Sequence, residues 1–71
     1  MSFPNRIAAL RDGGLIPRRF RVADVHQHVM GEYAEKYIRT ALANYAENGN
    51  YVLNGAAPRF RRVDRGLYEV I

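Results

Sequence analysis

EYAEKYIRTALANYAEN, residues 32–48, is the stretch on which the reading of the chain turns. On a helical wheel at about 100° per residue, Tyr33, Ala34, Tyr37, Ile38, Ala41, Leu42 and Tyr45 fill one half. Glu32, Lys36, Arg39, Thr40, Ala43, Asn44 and Glu47 fill the other. The pattern predicts an amphipathic helix over 32–48, with one face in the core and the other turned to water or a partner. Glu47-Asn48-Gly49-Asn50 is a stop signal for it.

Working outward, Val22, Val25 and Val29 stand at i, i+3 and i+7 and predict a helix over 22–29. Asp24 suits the positive end of its dipole. Only Met30-Gly31, with one residue on either side, is left for the turn between the two helices. A first helix fits residues 4–12: Pro4 suits its start, and Phe3, Ile7 and Leu10 share a stripe. Gly13-Gly14 ends it, and Ile16-Pro17 leads into an extended stretch at Arg18–Arg21. Beyond the long helix come Tyr51-Val52-Leu53, a loop from Asn54 to Pro58, and two strand-like runs, Arg59–Val63 and Leu67–Ile71. Asp64-Arg65-Gly66 between them has the length and closing glycine of a hairpin connection. Phe60 and Val63 fall on opposite parity, which predicts a bulge near Arg61-Arg62-Val63.

Helix, short strand, helix, tight turn, longer helix and hairpin is the order of a winged helix-turn-helix, an α+β fold. It has three helices, a C-terminal hairpin wing and a short third strand contributed by Arg19–Arg21. Two short helices cannot bury their apolar stripes alone, so the long helix packs across both and the hairpin closes the remaining side. Seventy-one residues accommodate one such domain, residues 1–71.

The 48% apolar content suffices for one core, and the absence of cysteine excludes disulfides, thiolate metal sites and cysteine catalysis. No apolar run approaches the roughly 18 residues of a membrane span, and MSFPNRIAAL lacks the apolar stretch of a secretory signal. The expectation is a cytoplasmic protein with no membrane association. Eleven cations against seven acids give a net charge of +4, and ten of the eleven are arginine, the better bidentate partner of phosphate and guanine. The charge is segregated. PRRFR (17–21) carries three arginines and no acid, and RFRRVDR (59–65) carries four against one aspartate, so the rest of the chain is net negative. Basicity gathered in two short segments has the form of a nucleic-acid footprint.

FRVADV (20–25), G-x-Y-x-x-x-Y-I-R-T (31–40) and F-R-R-V-D-R-G-L-Y (60–68) resemble the winged-helix domains that accompany prokaryotic restriction endonucleases and related small DNA-binding proteins. The resemblance covers residues 20–71. It implies a winged helix with I-R-T in the recognition helix and R-G-L-Y in the wing, and double-stranded DNA as partner. Residues 49–58 form a longer connection than the tightest relatives need. No nuclease domain is present in the sequence, so the resemblance implies no cutting activity.

Lys36, Arg39 and Thr40 point outward on the recognition helix, within reach of base edges and phosphates; Asn44 lies at the edge of that face, and Tyr33 offers a hydroxyl near the start. Against this, Glu32–Lys36 and Glu35–Arg39 have the spacing of ordinary i,i+4 pairs. In the wing, Arg61, Arg62 and Arg65 have only Asp64 as a local partner and suit phosphate or minor-groove contacts; edge protection by charge is the competing role. Arg18, Arg19 and Arg21 clamp a neighbouring phosphate or solvate the first strand. His26 and His28 lie roughly 200° apart on a helix and cannot share a metal, so neither metal nor cofactor is expected. With one serine, no paired carboxylates in a cleft and no phosphate-cradling glycine loop, the chain carries no enzymatic constellation. It reads as a small transcriptional regulator or DNA-specificity module, with a homodimer expected on DNA. The alternative is a winged helix used for protein–protein assembly.

Overall fold

The computed structural model describes residues 1–71 as α1 (Phe3–Asp12), β1 (Arg19–Phe20), α2 (Val22–Val29), α3 (Glu35–Tyr45), α4 (Asn50–Leu53), β2 (Phe60–Asp64) and β3 (Leu67–Val70). The result is an α+β domain, roughly winged-helix in shape, with four helices instead of three. Ser2 caps α1, its hydroxyl accepting from the Asn5 N–H at 3.4 Å. The Asp24 carboxylate accepts from the Arg21 N–H at 2.8 Å and secures the entry to α2, whose bounds match the expectation.

The long helix is shorter than its wheel pattern. It spans 35–45, not 32–48, because residues 31–34 are bound elsewhere. Gly31 takes φ +90°, a left-handed conformation open to glycine, and turns the chain off the helical path. Glu32 is seized by Arg6 of α1 through two hydrogen bonds, Nε to Oε1 at 3.0 Å and Nη2 to Oε2 at 2.9 Å. Tyr33 stands edge-on to Phe3 at 5.2 Å and stacks on Tyr37 at 5.3 Å. The Glu32–Lys36 helix pair therefore does not exist. Ala34 becomes the extended N-cap, and Tyr37, placed on the core arc by the wheel, is 47% exposed.

The Arg6 guanidinium holds the Glu32 carboxyl below the usual carboxylate range. A depressed native value means that the pairing stabilises the fold above the ordinary carboxylate pKa of about 4.3 and is lost as pH falls through the lower native value. The melting-temperature gap between the parent and Glu32→Gln is thus expected to be widest near neutrality and to close in acid. Thermal melts across that range check this; a gap constant with pH contradicts it.

The sheet order is β1-β3-β2, all antiparallel. Arg19 and Phe20 form the expected third strand, opposite Glu69 and Tyr68. On the other side Phe60 faces Val70, Arg61 faces Glu69 and Arg62 faces Tyr68, before a register shift between Arg62 and Asp64 supplies the expected bulge. Asp64 belongs to β2, so the hairpin turn is Arg65-Gly66. The free edge of β2 is covered by the chain leaving α3: Ala46 bridges Phe60 in parallel, and the Glu47 N–H donates to the Phe60 carbonyl at 3.0 Å.

Residues 50–53, expected as part of a plain connection, form α4. Tyr51 packs edge-on against Tyr45 at 4.9 Å, and α4 shortens the long connection before β2. The core is one cluster drawn from every element but α4. Its centre is a chain of edge-to-face aromatics, Phe3 to Phe60 and Phe60 to Phe20, each at 6.3 Å, with Ile7, Leu10, Val25, Val29, Ile38 and Leu42 filling in around them.

Candidate nucleic-acid interface

In a chain of net charge +4, the acids decide which cations are available. All seven are engaged. Asp12 pairs with Arg11 at 3.0 Å, Glu32 with Arg6 at 2.9 Å, Glu35 with Arg39 at 3.2 Å and Glu47 with Arg61 at 3.1 Å. Glu69, on the central strand, lies between Arg61 at 3.4 Å and Arg19 at 3.7 Å. Asp24 and Asp64 accept from main-chain N–H groups instead, those of Arg21 and Arg65.

This sorts the residues singled out in the sequence. Arg61 has more than Asp64 to pair with, against expectation: Glu47 and Glu69 both hold it, and the hydrogen bond it donates to Glu47 foremost raises its pKa. Arg19 is drawn to the same Glu69. Arg21 serves the fold, because its Nη1 donates to the Arg65 carbonyl at 3.3 Å and joins the start of α2 to the hairpin turn. Arg39 is held by Glu35, in a pair more than half exposed and so worth little to stability. Arg18, Lys36, Arg62 and Arg65 are exposed, with no carboxylate within 4 Å and no side-chain hydrogen bond. Thr40 is also exposed. The Tyr33 ring packs in the Phe3–Tyr33–Tyr37 aromatic cluster while its hydroxyl makes no hydrogen bond within the protein, and Asn44 is half-buried at the margin.

Lys36, Thr40 and Ala43 recur at i, i+4 and i+7 along the exposed side of α3, so they form one row. At Ala43 that row meets the wing. Ala43, Ala46, Asn48, Gly49, Arg62 and Tyr68 line an open hollow of about 370 Å³, with Glu47 completing its wall. The free guanidinium of Arg62 thus adjoins the end of the helix row, and Arg65 sits beyond it at the hairpin turn.

Comparison with family models, with curated proteins and with solved structures finds no match.

Sequence reasoning missed Asn48, Tyr68 and the hollow. Their convergence depends on the Arg62–Tyr68 register, which is set only once the bulge is placed. No group of three or more His, Cys, Asp or Glu residues could hold a metal ion. No helix is long and apolar enough to cross a membrane.

Proposed function

We propose that the chain binds double-stranded DNA, with α3 in the major groove and the wing on the adjacent backbone, as a small regulator or DNA-specificity module. The observation that carries this reading is the row Lys36–Thr40–Ala43 running into Arg62, with Lys36, Arg62 and Arg65 left free of carboxylates. Side chains of this kind at the exposed face of a helix suit base edges and flanking phosphates, and small Ala43 allows close approach. The resemblance of residues 20–71 to winged-helix domains accompanying restriction endonucleases supports the same reading. Arg39 joins the base-reading set by exchanging Glu35 for guanine, at small cost because the ion pair is exposed. Arg61 and Arg19 are withdrawn from the direct contacts by Glu47 and Glu69.

Titration of a duplex at several salt concentrations tests the proposal. Three to four phosphate contacts give a log–log salt slope of about −3 to −4; a slope near zero removes it. A binding surface of this size covers half of a symmetric site, so two chains per duplex are expected, a stoichiometry that light scattering reads directly. A protein-assembly role is favoured by one different observation, the exposure of Tyr51 and Leu53 on α4, at 44% and 71%.

A further inference from the structure

The hollow between α3 and the wing contains a polar group without a partner. Tyr68 is 6% exposed, yet its hydroxyl makes no hydrogen bond within the protein. A buried tyrosine hydroxyl normally finds a partner. This one is not sealed off, since the one fully enclosed side-chain polar atom lacking a partner is an oxygen of Glu69. Tyr68 opens into the hollow it lines. Arg62 stands directly opposite it across the β2–β3 pair, on the same face of the sheet, so their Cβ atoms are within about 5.5 Å. Asn48, held at φ +67°, lines the hollow from the α3 side, with its side chain and its main-chain N–H both unpaired. Ala43 and Ala46 contribute only methyl groups.

The chemistry of this set is that of a donor cluster. The residues lining the hollow bring a guanidinium (Arg62), a phenolic hydroxyl (Tyr68), and an amide and an unpaired main-chain N–H (Asn48), a set that disfavours a bare cation and offers an apolar ligand little. The one acid on the wall, Glu47, is turned to Arg61 at 3.1 Å and its charge is offset there. We propose that the hollow is a seat for a phosphate group, filled by a DNA backbone phosphate flanking the groove that α3 enters. Arg62 supplies the charge, and Tyr68 and Asn48 fix the orientation. The DNA source rests on the function proposed above; the phosphate chemistry does not.

The test uses the ¹⁵N-labelled chain, titrated separately with a short duplex, with inorganic phosphate and with a nucleoside monophosphate. The expected result is that duplex shifts the Asn48 and Gly49 amide signals. Tyr68→Phe, which keeps the ring in the core, and Arg62→Gln each weaken duplex binding roughly tenfold, the scale of a hydrogen bond to a charged group. Melting temperatures stay the same. Arg62→Gln makes the salt slope shallower by about 0.9, and Tyr68→Phe leaves it unchanged. If a small phosphate saturates these signals while duplex leaves them still, the seat stands and DNA as its source is wrong. If no probe moves them, or Tyr68→Phe binds duplex as the parent does, the seat is overturned. A steep salt slope in the parent would then leave the DNA proposal standing without it.

Discussion

Gly49→Ala lowers the melting temperature by about 10–20 °C. A Cβ at this position would lie 2.3 Å from the Ala43 carbonyl oxygen and 2.5 Å from that of Asn44. Both are backbone atoms in the last turn of α3, so neither can swing aside. Gly49 has φ −74°, so space and not conformational freedom requires the glycine. Relief demands that the chain leaving α3 move outward, against the Glu47–Phe60 hydrogen bond that covers the edge of β2. Overpacking of this kind costs about 2–3 kcal/mol, and in a domain of this size each kcal/mol shifts the melting point by about 4–8 °C. Gly13→Ala is the internal control. Its Cβ would meet the Ala9 carbonyl oxygen at 3.3 Å and that of Leu10 at an ordinary 3.9 Å, and its cost is a fraction of the other. Equal losses in the two variants would show that the close approach at Gly49 is not the cause.

On the proposed function, simultaneous replacement of Lys36, Arg62 and Arg65 by glutamine is expected to make the salt dependence of duplex binding shallower by about 2.7 in log–log slope, about 0.9 for each phosphate contact. Replacing Arg6, Arg11 and Arg59 removes the same formal charge from cations held at α1: Arg6 and Arg11 by their acids, and Arg59 by the Asn5 side chain at 2.5 Å. That triple is expected to change the slope by less than one contact's worth. Were both sets to flatten the slope equally, the attraction would be a property of net charge, and no particular face would be the footprint.

The legible parts of the fold are those determined within a few residues. Val22, Val25 and Val29 define α2 by spacing alone, and all three are buried or half-buried where the stripe puts them. The bulge is readable because Phe60 is fully buried and its parity clashes with that of Val63. The ends of α3 are not legible. Glu32 and Tyr33 have good helical periodicity, but their partners, Arg6 and Phe3, lie more than 25 residues away in sequence, and those contacts outweigh one more turn of helix. The short α4 offers too few residues for any period to register. At the candidate site, composition locates the wing arginines as a group but cannot separate them. Arg61 and Arg62 are adjacent and chemically identical. The pleat turns one toward Glu69 and the other toward Tyr68, which leaves one neutralised and one free.

The hydrogen bond from Arg21 to the Arg65 carbonyl gives the wing a property that its sequence does not announce. A two-stranded ribbon is marginally stable by itself, and a tip that wandered would have to be immobilised each time a partner arrived. Here the guanidinium spans 44 positions of sequence to hold the turn against the start of α2, while β1 pairs with the other side of β3. The tip and the helix pair therefore meet any ligand as one preformed shape. Much of the ordering entropy of association is already spent during folding. Under the proposed function, affinity depends on this long-range contact as well as on the groups that touch the ligand, and loosening it is expected to weaken binding without removing a charge from the surface.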